Sequence, residues 1–197
     1  KAIRLNDEYA DQLGDKIKFT RLICEYLNVP DEIATLSKGK IMPLSANYNI
    51  TSPESLVNLL KDINVLILKP IDSASGMGVV RVSIEKDMIN YNKELITKEE
   101  FYSRIKYLNN YIVTPYIRQA AYSDAIFPKT VNTIRITTMI SPGDRIPFIA
   151  AAAHRFGTER SFPVDNCNAG GLTADINIDT GRLSSAVFTY FDGNELK

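Results

Sequence analysis

From residue 131 onward the chain reads almost continuously as β-structure, which restricts it to folds with a large antiparallel sheet. Apolar and β-branched runs cover 131–140, 146–156, 171–178 and 183–190, with turn chemistry at Ser141-Pro-Gly-Asp144 and Asp179-Thr-Gly181. The half before it is mixed. Helical spacing predicts an amphipathic helix from about Asp15, through Ile17, Leu22, Ile23, Tyr26 and Leu27, stopped by Asn28-Val-Pro30. A second helix is expected over 51–61, from a capping-box spacing of Thr51 and Glu54 with Pro53 in the first turn. A third is expected over 98–108 through Phe101, Ile105 and Leu108. Val65-Leu-Ile-Leu-Lys69 ends at Pro70, and β-character resumes at Val79 after Ser73-Ala-Ser-Gly-Met-Gly78, which predicts strand, glycine loop, strand. Tyr111-Ile-Val-Thr is a further strand that meets Pro115. The expected class is α+β, with lobes 1–113 and 114–197 joined by a hinge near residue 114.

Composition removes several function classes. The 197 residues are 45% hydrophobic and 23% charged, enough for a real core. The 23 basic and 23 acidic residues cancel, leaving no net field to hold nucleic acid or an anionic membrane. No apolar run reaches the roughly 18–20 residues of a membrane span, and the first dozen residues lack a signal-peptide core, so a cytoplasmic protein is expected. Two cysteines and one histidine exclude a disulfide framework and a histidine-rich metal centre.

The residues that could carry chemistry are cationic and small. Lys69 closes an apolar strand, and a small-residue loop follows it, an arrangement that suits phosphate oxygens approached by backbone N–H groups. The loop lacks the GxxxxGK[ST] pattern, and on these residues alone a β-hairpin turn with an exposed lysine is the favoured reading. Three later features shift the balance. Arg135, in Asn132-Thr-Ile-Arg135, and Arg155, after His154, can converge from adjacent strands, each offering a planar fork to phosphate or carboxylate. Asp165-Asn-Cys-Asn-Ala-Gly-Gly171 then supplies short polar side chains and a double glycine. Together they point to a polyanion site. His154 and Cys167 are expected to be packing residues.

These segments resemble, in order, the ATP-grasp fold, and within it the sugar-transfer-associated ATP-grasp domains linked to cell-surface polysaccharide biosynthesis. The resembling stretches are Asp15-Lys-Ile-Lys-Phe, Leu66-Ile-Leu-Lys-Pro70 with Ser73-Ala-Ser-Gly-Met-Gly-Val79, Ile112-Val-Thr-Pro-Tyr-Ile117, Val131-Asn-Thr-Ile-Arg135, and Val164-Asp-Asn-Cys-Asn-Ala-Gly-Gly171 leading to Asp179-Thr-Gly181. The progression from Arg155 through Asn166 to Gly170 is also similar to that of glutathione synthetases and glutamate-adding ligases.

The resemblance implies two lobes with antiparallel sheets clamping ATP. Lys69 would contact the α and β phosphates, with Lys16 or Lys18 as a second cation. Ser73, Ser75, Gly76 and Gly78 would form a lid, and main-chain groups of Val113, Thr114 and Tyr116 would meet adenine. Arg135 and Arg155 would stabilise the transferring phosphoryl group, and Asn166, Asn168 and Gly170 would hold the acceptor or γ-phosphate. Two departures stand out. Family members usually carry acidic residues where Thr114 and Pro115 stand, and Pro115 has no backbone donor. The acidic residue and Glu-x-Asn motif that hold Mg²⁺ are not reproduced by Asp192-Gly-Asn-Glu-Leu-Lys197, so the metal ligands are unassigned and the late strands are expected to lie outside this piece. The implied activity is an ATP- and Mg²⁺-dependent ligase joining a small-molecule carboxylate or sugar-linked acceptor to an amine or similar nucleophile. Kinase-like transfer to a hydroxyl and a non-catalytic nucleotide-binding module are the alternatives. Oligomeric state is not encoded in any motif.

Overall fold

A computed structural model describes residues 9–188, except 142 and 144. The chain forms two compact units, 1–117 and 118–197. In the first, helices α1 (Ala10–Gly14) and α2 (Lys16–Ile23) precede the hairpin β1 (Ala34–Ser37) and β2 (Lys40–Pro43). Helix α3 (Pro53–Ile63), strands β3 (Val65–Pro70), β4 (Val80–Glu85), β5 (Met88–Tyr91) and β6 (Glu94–Ile96), helix α4 (Lys98–Tyr107) and strand β7 (Tyr111–Pro115) follow. The seven strands make one sheet in the order β2-β1-β7-β3-β4-β5-β6, and every adjacent pair is antiparallel.

Local chemistry sets the helix starts. Asp15 caps α2, its Oδ1 accepting from the N–H groups of Ile17 (2.9 Å) and Lys18 (3.0 Å). The capping box of α3 is built by Ser52 and Ser55 instead of the expected Thr51 and Glu54. Ser52 Oγ accepts from Ser55 N and Ser55 Oγ accepts from Ser52 N. Short strands leave little signal in the sequence: those of the β1–β2 and β5–β6 hairpins have three or four residues each, too few for a clear period-two alternation.

Alternation along β3 and β4 gives the first sheet two different faces. Leu66, Leu68, Val80 and Val82 are buried with Leu56, Leu60, Phe101 and Ile105 of α3 and α4 in the main core. Val65, Ile67, Lys69, Arg81 and Ser83, the intervening residues, take the other face.

The second unit holds helix α5 (Ala121–Ile126) and strands β8 (Ile134–Ile140), β9 (Pro147–Phe156), β10 (Leu172–Asp175) and β11 (Val187–Phe188). They form an antiparallel sheet in the order β11-β10-β9-β8, with an irregularity between Thr137 and Thr138. Strand β8 starts three residues later than the expected 131, because the Asn132 and Thr133 N–H groups go to the side chains of Gln119 and Asp165. Beyond Asp175 the expected strand 171–178 continues only as an isolated bridge between Ile176 and Leu183. Of the expected strand 183–190 the ladder includes 187–188, and 189–190 and the stretch 192–197 lie outside the described residues. No helix among the described residues is long and apolar enough to cross a membrane.

Leu68 is fully buried, whereas Leu95 is 49% exposed. Leu68→Ala should therefore cost about 2–5 kcal/mol in urea unfolding, and Leu95→Ala less than about 1 kcal/mol.

Candidate functional site

In the first unit, two lysines meet at the start of the glycine loop. Lys69 is the penultimate residue of β3, and Lys16 in the first turn of α2 donates from Nζ to the carbonyls of Ile71 (3.2 Å) and Ser73 (2.6 Å). Burial holds the Lys69 ammonium below the ordinary lysine range, the charge of Lys16 pushes it further, and Glu32 pulls it back. Lys16 is lowered by burial too, against the pull of Asp72 and Asp15. Lys18 does not join them: its Nζ pairs with Asp11 at 2.5 Å on an exposed surface. The structure thus separates two cations that the spacing left equivalent.

The loop itself is tightly shaped. Ser73 Oγ donates to Met77 O at 3.1 Å, and Ser75, Gly76 and Gly78 all have positive φ, of 60°, 73° and 74°. A Cβ at Gly78 would lie 2.8 Å from Tyr111 Oη and 2.9 Å from Pro70 Cγ, so both its conformation and its space require glycine.

Cross-strand register orders the face that carries Lys69. Lys69 and Thr35 both lie opposite Ile112, and Arg81 and Thr114 both lie opposite Ile67. Glu32 Oε1, Thr35 Oγ1 and Arg81 Nε are buried here without hydrogen-bond partners. Burial raises the Glu32 carboxyl, with the Thr20 hydroxyl, Arg21 and Lys69 opposing, and burial lowers the Arg81 guanidinium. Glu32 and Arg81 were missed in the sequence, since only strand pairing brings them to Lys69. Of the hinge residues, Val113 is in the core and its carbonyl accepts from Ile33 N at 2.9 Å, Thr114 is buried, and Tyr116 N donates to Val65 O at 3.3 Å. The main-chain oxygen of Val113 and the N–H of Tyr116 are therefore already engaged within the first sheet.

In the second unit, Arg155 is tied down from several sides. Its Nε and Nη2 donate to Thr133 Oγ1 at 3.0 and 2.6 Å, and Nη2 lies 3.2 Å from Asp165 Oδ1. Asp165 is almost wholly buried, and its Oδ2 also accepts from Thr133 N and Oγ1. Arg135 is exposed on β8 opposite Ala153, while Arg155 N donates to Thr133 O. The two arginines thus share a face one residue pair apart, without a contact between them. Asn166 O accepts from the N–H groups of Ala169 and Gly171, Asn168 is exposed, and Gly170 is buried with φ 102°. A Cβ at Gly171 would lie 2.3 Å from Asp165 O, so the double glycine lets the backbone pass close behind Asp165.

A polar network supports these residues. Asn132 Nδ2 donates to the carbonyls of Ser123 and Phe127, both at 3.0 Å, and its Oδ1 accepts from Gly157 N at 2.9 Å. His154 is buried between Tyr122 and Phe156, with ring centroids 5.8 and 4.2 Å away, and its Nε2 has no hydrogen-bond partner. Cys167 Sγ contacts Thr173 Oγ1.

Mg²⁺ requires a set of oxygen ligands. Among the described residues no group of three or more His, Cys, Asp or Glu could hold a metal ion, and Asp165 is occupied by Arg155 and Thr133. The described residues do not fit a resident metal.

Two outcomes follow for the second unit. Asp165→Asn leaves the Arg155 charge unbalanced in a mostly buried position and should cost on the order of 3 kcal/mol in chemical denaturation. Burial lowers the His154 pKa from its ordinary 6.5, against the Asn132 backbone hydrogen bond and Asp165. A lowered histidine favours the neutral folded form, so its contribution is complete above about pH 6.5 and is lost as pH falls below it. Stability measured between pH 7.5 and 5.5 should fall toward acid, and His154→Gln should flatten that fall.

Comparison with known proteins shows the family of the chain. A model described as sugar-transfer associated ATP-grasp matches residues 4–196. Among solved structures, the D-alanine-D-alanine ligase from Coxiella burnetii matches at 10% identity with a TM-score of 0.42, over 90% of this chain and 51% of that one. The chain thus spans about half the length of that enzyme. No curated protein matches. With the family model running across nearly all of its residues, this α+β chain belongs to the sugar-transfer associated ATP-grasp family.

Proposed function

We propose that this chain is the ATP-binding part of a ligase that joins a carboxylate to an amine or similar nucleophile, in the making of cell-surface polysaccharide. The observation that carries the reading is the meeting of Lys16 and Lys69 at the root of the glycine loop. Two partly desolvated ammonium groups, of which Lys16 lowers the proton affinity of Lys69, are stabilised by a polyanion placed between them. Family membership supports ATP as that polyanion, and the family's description supports the sugar context.

In the proposed chemistry a carboxylate oxygen bonds to the γ-phosphorus as the bond to the β–γ bridging oxygen breaks. ADP leaves with the electron pair, and the nucleophile then displaces phosphate from the acyl phosphate. Negative charge on the phosphoryl oxygens needs preorganised cations. Lys69 and Lys16 hold the α and β phosphates, and the loop with Ser73, Ser75, Gly76 and Gly78 covers them. Arg135 faces the transferring group, with Arg155 acting from its pair with Asp165. Asn166, Asn168 and Gly170 hold the acceptor. Mg²⁺ accompanies ATP in such enzymes by lowering the charge of the phosphates.

Lys69→Met should weaken ATP binding by about 1.5–3 kcal/mol, the loss of one charge-assisted contact, with the fold unchanged. Calorimetry on both proteins tests this, and equal affinities would remove Lys69 from the site.

A further inference from the structure

Resting on the nucleotide reading of the first unit, we infer that Arg81 contacts the base, donating from Nε to an acceptor atom on it. The direction of the bound nucleotide follows from the strands. The cations Lys69 and Lys16 sit at the loop end of β3, where Lys16 Nζ binds the carbonyls of Ile71 and Ser73. Arg81 shares the face of Lys69 but lies opposite Ile67, two residues further from the loop, a step of roughly 7 Å along the strand. A nucleotide with its phosphates at the loop therefore extends its ribose and base toward Arg81.

The guanidinium there is held but not satisfied. Its carbon lies 5.4 Å from the centroid of the Tyr116 ring, and Nη1 donates to Ser83 Oγ at 3.2 Å. Nε is buried with no hydrogen-bond partner. These contacts hold the fork and leave Nε without a partner on the sheet face. A buried donor without a partner is costly, and a ring nitrogen or carbonyl of a base removes that cost. The flat base also extends the Arg81–Tyr116 stack.

Two main-chain positions near Arg81 offer no donor to a base. Pro115 has no N–H, and the N–H of Tyr116 is bonded to Val65 O. Arg81 on β4 adds a side-chain donor beside a hinge whose residues 115 and 116 offer none.

The test compares ATP with ribose 5-triphosphate, which lacks only the base, by calorimetry on the wild-type chain, Arg81→Gln, Arg81→Lys and Lys69→Met. Arg81→Gln should weaken ATP at least tenfold and leave ribose 5-triphosphate within twofold, whereas Lys69→Met should weaken both. Arg81→Lys keeps the charge but loses the planar fork, and should show the same selective loss to a smaller degree. It decides the matter if Arg81→Gln does not fold by circular dichroism. Equal weakening of both ligands would make Arg81 a phosphate or ribose contact and overturn the inference. A lowered melting temperature with both affinities unchanged would overturn it in favour of a structural strut. A wild-type chain that binds neither ligand would overturn the nucleotide reading itself, and the inference with it.

Discussion

The alternation of side chains along β3 and β4 is the constraint on which the rest of the first unit depends. Leu66, Leu68, Val80 and Val82 each gain about 1.5–3 kcal/mol by leaving water. Sliding either strand by one residue would exchange them with Lys69 and Arg81. The core therefore determines, at a distance, where the cations face. Their partial desolvation is imposed by packing on the opposite side of the same strands.

The loop between those strands inherits its shape from the same geometry. Lys16 ties the start of α2 to the carbonyls that lead out of β3, so the second cation is delivered by a tertiary contact. Gly78 then brings the chain back against Pro70 and Tyr111, where no side chain fits. This end of the sheet is built from backbone carbonyls, a helix start and a tight return, with no single motif long enough to specify it.

What the sequence made legible was whatever it encodes locally. The apolar run closing at Lys69, the glycine loop, the three longer helices and the β-character of the second half could all be read from periodicity and turn chemistry. Lys16 and Lys18 could not be told apart, because both lie in the first turn of one helix and only the approach of Ile71 and Ser73 distinguishes them. Glu32 and Arg81 gave no signal, since a charge in a short strand or loop acquires its neighbours from strands tens of residues away. Arg155 was read as a free fork. Its tie to Asp165 and Thr133 depends on the fold of 157–171, which no periodicity describes.

The second unit is held together differently from the first. Among its described residues the buried apolar side chains are Phe156 and Ala174, while Ser123, Thr130, Asn132, His154, Ser161 and Asp165 are buried polar ones. Unfolding such a unit uncovers little hydrocarbon and much amide and hydroxyl surface, and these change the heat capacity in opposite directions. These buried polar residues add less to the heat-capacity change than an apolar core of the same size would. Cooling weakens burial of the kind that holds the first unit's apolar core, and acts less on the directed hydrogen bonds that join the second unit's buried polar residues.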